Sequence, residues 1–198
     1  MNDQWYDFWV KNGAGYGNAV NLRPSTYDYS KAVEYIHDKI KIKPTDKLLD
    51  VGCGNGQMLE QISKFTKNIS GVDYSKNMVS LTDNLMKKIG GITGTYHVTS
   101  SEDLSIFKDN SFDKLICVAV IQYFDNLNSA RTTVSEMVRV CKPGGFVYMG
   151  DVLNDDIIKN GGSGIYSYDP DVLGAGYNYK IYKSYFEPYR RFDLVIKK

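Results

Sequence analysis

The chain has 198 residues, with 24 Lys and Arg against 23 Asp and Glu; a formal net charge of +1 removes any electrostatic case for a nucleic acid or an anionic membrane as partner. That length suits one domain, 1–198, large enough to bury a core without disulfide or metal staples. No signal-peptide pattern stands at Met1-Asn2-Asp3-Gln4-Trp5 and no apolar run is long enough to span a bilayer, so no membrane insertion is expected and the expected location is cytoplasmic. In chain order, Trp5, Phe8 and Trp9 fall at i, i+3 and i+4 on one face of a short helix. The loop behind them, Gly13-Ala14-Gly15-Tyr16-Gly17, reads as a hinge. Residues 25–41 read as an amphipathic helix with Ala32, Val33, Ile36 and Ile40 on one face, and Pro44 ends the connection that follows.

The strongest signal comes next, at Leu48-Leu49-Asp50-Val51-Gly52-Cys53-Gly54-Asn55-Gly56. An apolar run feeds alternating glycines, and Gln57-Met58-Leu59-Glu60-Gln61-Ile62 reads as the first turns of a helix. That is a strand, a tight turn and a helix N-terminus, the opening of a βαβ unit. Glycine is required where the backbone turns sharply and a ligand must approach it closely. A second strand over 68–72 ends at Asp73, seventeen residues past Gly56. A carboxylate there lies beside the ligand crevice and can accept hydrogen bonds from both hydroxyls of a ribose, which points to a nucleoside. The dinucleotide fingerprint G-x-G-x-x-G needs a third glycine where Gln57 stands, and Asp50 would repel a pyrophosphate while suiting an ammonium group. Both features disfavour an NAD-dependent oxidoreductase.

The stretch resembles motif I of the class I S-adenosylmethionine (SAM)-dependent methyltransferases, and its continuation through Asp73 resembles their motif II. The resemblance implies an α/β fold, a three-layer sandwich whose seven-stranded sheet is mostly parallel, with one antiparallel strand and helices on both faces. It implies SAM as cofactor and S-adenosylhomocysteine (SAH) as product, with Asp50, Gly52, Cys53, Gly54, Asn55 and Gly56 forming the cofactor turn and Asp73 holding the ribose. In such proteins an N-terminal segment often closes over the crevice. Residues 1–24 are therefore either a helix packed on the core or a lid, with Tyr16 and Arg23 as its ligand-facing candidates.

A helix over 75–89 carries Met78, Val79, Leu81, Leu85 and Met86 as its apolar stripe and stops at Gly90-Gly91. By the resemblance Tyr74 and Met78 border the adenine, although Met78 serves equally well as core. After a third strand over 95–98, the family usually places an acid where this chain has Ser100. The Ser100 hydroxyl, the Ser101 backbone and Glu102 are the groups left to recognise the adenine. The apolar run 114–124 reads as a strand buried on both faces that passes into a loop. It resembles the family's fourth strand, which implies that the Val118 carbonyl meets the cofactor's amino-acid end. Gln122 and Tyr123 then either face the methyl acceptor or serve packing and capping.

A helix with Val134, Met137, Val138 and Val140 inward leads to a stop at 141–145 and a fifth strand over 146–152. The likeness covers roughly residues 45–152. Beyond it, Asp169-Pro170-Asp171-Val172-Leu173 offers barely one helical turn where the family has several, so the helix before strand six is expected to be short. The runs 177–183 and 191–196 read as the antiparallel pair that closes the sheet. Cys53, Cys117 and Cys141, an odd number without a C-x-x-C pair, argue against disulfides or zinc.

Taken together, these features read as metal-free methyl transfer to an oxygen or nitrogen of a small-molecule acceptor. Tyr123, Asp151 and Tyr16 are the catalytic candidates, and His37 and His97 are expected to be structural. A homodimer is compatible with the sequence. The competing reading is a SAM- or nucleoside-binding partner or regulatory protein without catalysis.

Overall fold

The computed structural model describes residues 28–124, 126–154, 166–185 and 190–198. Helix α1 (Tyr29–Ile40) begins where the Asp28 carboxylate accepts the Lys31 N–H at 3.0 Å and ends at Lys41, whose φ of 51° is left-handed. Its four expected apolar residues, Ala32, Val33, Ile36 and Ile40, are all buried. The lid segment 1–24, with Tyr16 and Arg23, lies outside the described residues.

Strand β1 (Leu48–Val51), helix α2 (Gln57–Ile62) and strand β2 (Ile69–Asp73) follow as the expected βαβ unit. Helix α3 (Lys76–Ile89) starts at a Ser75 cap, and Gly90, at φ 72°, ends it. Strands β3 (Tyr96–Val98) and β4 (Phe112–Val118) come next, then a single 3₁₀ turn at Ile121–Tyr123. Helix α4 (Leu127–Val140) leads into β5 (Cys141–Leu153). The short α5 (Pro170–Gly174) precedes β6 (Tyr179–Lys183) and β7 (Arg191–Lys197).

Seven strands form one sheet in the order β3-β2-β1-β4-β5-β7-β6. Every neighbouring pair is parallel except those involving β7, which runs against both β5 and β6. The sheet therefore has the expected single antiparallel strand. Period-two alternation sends successive side chains to opposite faces, so Leu48, Ile116, Tyr148 and Val195 join α1, α2 and α3 in one core. Leu49, Leu115, Val147 and Leu194 join α4 and α5 in the other. Strand order reverses between β1 and β4, and in open α/β sheets the carboxyl ends at such a reversal bound the ligand crevice.

Two expectations need correction. On α3, Leu81 is 45% exposed and Thr82 takes its place in the stripe with Met78, Val79 and Met86. The buried face is turned toward the glycine turn, where Thr82 Oγ1–H donates to the Gly54 carbonyl at 2.7 Å. Residues 141–145 do not lie outside the fifth strand. Cys141 caps α4 and already pairs with Phe112, and the ladder resumes at Phe146 opposite Lys114 after a bulge.

Candidate active site

The three glycines after β1 have φ of 83°, 53° and 85° at Gly52, Gly54 and Gly56, a region in which any Cβ is strained. The turn is pinned to β2, because the Gly52 and Cys53 N–H groups both donate to the Val72 carbonyl, at 2.8 and 2.9 Å. A Cβ on Gly52 would collide with the Val120 side chain, and one on Gly56 would sit 3.0 Å from Thr82 Oγ1. At Gly54 it would meet open space, so that glycine alone of the three leaves room for a ligand. Asn55 is half-buried beside it. The Cys53 side chain turns into the core, with Sγ 4.0 Å from Thr82 Oγ1, and burial raises its thiol pKa well above the ordinary range. Only its backbone can serve a ligand. Asp50 is buried in β1 between Gly71 of β2 and Ile116 of β4.

Asp73 ends β2 and reaches back across the crevice. Its Oδ2 accepts the Gly54 N–H at 3.0 Å and its Oδ1 accepts the Ser75 N–H at 2.9 Å. Burial pushes its pKa up to about 6 against the lowering effect of those two bonds. Each oxygen keeps a further lone pair, so the carboxylate is held in place and can still accept the two hydroxyls of a ribose. A nucleoside fits this cradle. Tyr74 is half-buried next to it. Met78 is only 2% exposed, so here it packs and offers no free face to an adenine. Ser100 is exposed, and its Oγ accepts the Glu102 N–H at 3.2 Å. Ser101 Oγ accepts from the Thr133 hydroxyl at 3.2 Å, which ties this loop to α4.

Val118, half-buried, pairs with Gly150 at the carboxyl end of β4. Ala119 follows in the left-handed region at φ 58°, its N–H donating to the Gly150 carbonyl at 2.9 Å. Tyr123 closes the 3₁₀ turn and is half-buried.

Asp151 sits at a break in the β5–β7 ladder between Met149 and Val152, at φ 59°. There the side chains of β7 replace the missing backbone partners. The Asp193 carboxylate accepts the Asp151 N–H at 2.8 Å and the Tyr148 O–H at 2.6 Å, while Arg191 Nη1 donates to the Asp151 carbonyl at 3.0 Å. Arg191 Nε stands 3.5 Å from Asp151 Oδ1. Asp193 is 1% exposed, and burial pushes its pKa up to about 6. Sequence reasoning missed Asp193 and Arg191; the signal was a charge alternating with apolar residues inside Arg191-Phe192-Asp193-Leu194-Val195-Ile196. Elsewhere His37 stacks on Phe65 at 4.4 Å and His97 meets Phe107 edge-on at 5.7 Å. Among the described residues no group of three or more His, Cys, Asp or Glu could hold a metal ion.

The methyltransferase domain family matches residues 49–149, from β1 through β5. The chain belongs to this family. Ubiquinone biosynthesis O-methyltransferase of Hydrogenovibrio crunogenus is 23% identical over 146 residues, 74% of this chain and 56% of that protein. A sterol 24-C-methyltransferase of Gibberella zeae is 32% identical over 127 residues, 64% of this chain and 33% of that one. The chain thus spans about half or less of the length of these curated relatives. Magnesium protoporphyrin IX methyltransferase of Synechocystis, in a structure with bound SAH, has the same fold, with a TM-score of 0.72 at 14% identity over 97% of this chain and 96% of that one. Among the described residues no helix of the chain is long and apolar enough to cross a membrane.

Proposed function

We propose that this protein transfers a methyl group from SAM to an oxygen or nitrogen nucleophile of a small-molecule acceptor by direct displacement, without a metal. The carrying observation is Asp73, fixed by two backbone N–H groups at the carboxyl end of β2, with Gly54 open beside it. When bound, SAM supplies a methyl group on a sulfonium, already a good leaving group. The chain's own work is therefore alignment and the exclusion of water. Asp73 holds the ribose; the turn from Gly52 through Gly56 lies beneath the amino-acid end, with the Val118 carbonyl and Asp50 toward its ammonium group. Tyr74, Ser100, Ser101 and Glu102 form the adenine side, with Met78 packed beneath in the core.

On the acceptor side Tyr123 and Asp151 are the candidate groups, joined by Tyr16 from a closing segment over 1–24. As a carboxylate, Asp151 accepts a hydrogen bond from the acceptor's O–H or N–H and turns its lone pair toward the methyl group. The ubiquinone-pathway relative, named as an O-methyltransferase, supports an oxygen acceptor. The proposal takes the chain as a cytoplasmic enzyme, with a homodimer allowed. The test is incubation with methyl-labelled SAM and a panel of phenols, alcohols and amines. Label appearing in one acceptor, in step with SAH release, is the expected result. SAM that is bound but never consumed by any of them would contradict catalysis and favour a binding or regulatory role.

A further inference from the structure

Gln122 lies in the 3₁₀ turn after β4 and is 4% exposed, yet its Oε1 has no hydrogen-bond partner among the described residues. Its backbone is engaged, the carbonyl accepting the Tyr166 N–H at 2.8 Å. A buried amide oxygen left unpaired is costly, whereas an apolar side chain of the same length would carry no such cost at this position. Asp151, by contrast, has Arg191 Nε 3.5 Å from its Oδ1.

The surroundings of Gln122 are those of the crevice. Ala119, three residues earlier, is held left-handed, and Val120 is pressed against Gly52, the first glycine of the cofactor turn. Strained backbone persists where its surroundings over-determine it, and it clusters at ligand sites. The turn carrying the unpaired amide is therefore wedged against the glycine turn at the point where the sheet order reverses.

We propose that the Gln122 side-chain carbonyl, Oε1, is a ligand-binding group of the methyl-transfer site, accepting a hydrogen bond from an N–H or O–H donor. Two sources offer that donor: the ammonium group at the cofactor's amino-acid end, and the hydroxyl or amine of the acceptor. The inference rests on the methyltransferase reading and adds a recognition residue to it.

The experiment compares wild type with Gln122→Met, which keeps the length and removes the amide, and with Gln122→Glu, which keeps an acceptor oxygen. In ligand-free thermal unfolding Gln122→Met matches or exceeds wild type; a loss of several degrees would reveal an internal partner and overturn the proposal. Calorimetry then uses SAH and 5′-methylthioadenosine, which lacks the amino-acid end. An SAH affinity about tenfold weaker in Gln122→Met but not in Gln122→Glu, with methylthioadenosine unchanged, assigns the donor to the cofactor. Unchanged SAH affinity with an about tenfold higher KM for a methylated acceptor assigns it to the acceptor. SAH affinity within about twofold, with no panel compound losing affinity or turnover, overturns the proposal. Wild type that fails to bind SAH contradicts the methyltransferase reading itself, a separate outcome from an unaffected variant.

Discussion

Asp73 is the residue on which the proposed cofactor binding turns, and its surroundings give it a pH signature. A ribose hydroxyl needs the ionised form as acceptor, and burial has raised the pKa to about 6. SAM affinity should therefore be flat above that pH and fall as pH drops through it, by up to about tenfold per unit. Calorimetry from pH 8 to pH 5 checks this, and a flat profile would mean the ribose is held elsewhere. Asp73→Ala should weaken SAM binding by about 1 to 3 kcal/mol, since it removes the ribose acceptor and also releases the Gly54 and Ser75 N–H groups.

Asp193 makes a stability prediction with a definite sign. Its folded pKa is about 6, above the unfolded value of about 3.9, so between those two pH values the folded state binds more protons. Stability contributed through this group rises as pH falls from 6 toward 4. Wild type should gain on Asp193→Asn by about 1 to 3 kcal/mol across that window in urea unfolding. An unchanged difference between the two proteins would refute the burial argument.

At the scale of elements, the glycine turn separates packing from ligand room. Gly52→Ala forces a side chain against Val120 at φ 83° and should destabilise the fold by about 1 to 3 kcal/mol. Gly54→Val enters open space at φ 53°, so its cost to the fold is left-handed backbone strain without a collision, and its distinctive effect should be lost SAM binding. Thermal unfolding and calorimetry on both variants read the contrast; equal loss of stability in the two would contradict it. The turn and the parallel strands were legible in the sequence because glycines at fixed spacing and strands buried on both faces leave local patterns. The α3 stripe was misread by one position because Thr82 answers to a tertiary contact, the Gly54 carbonyl. Asp193 escaped notice because its partner Asp151 is 42 positions away and meets it only where the β5–β7 ladder breaks.

For the whole molecule, the order β3-β2-β1-β4-β5-β7-β6 brings the ends of β1, β2, β4 and β5 to one edge of the sheet. Distant parts of the chain meet elsewhere too, where Tyr35 of α1 donates its hydroxyl to the Lys183 backbone carbonyl of β6 at 2.8 Å. The proposed cofactor half of the site was readable because a nucleoside cofactor constrains one turn and one carboxylate that lie close in the sequence. The acceptor half was not, because the groups proposed for it, Asp151 of β5 and Tyr123 of the turn after β4, come together only in the folded sheet and answer to an unknown substrate. The most direct test of the account is calorimetric titration of the purified protein with SAM, SAH and NADH. Micromolar binding of the first two without the third is the predicted result, and binding of NADH alone would contradict it.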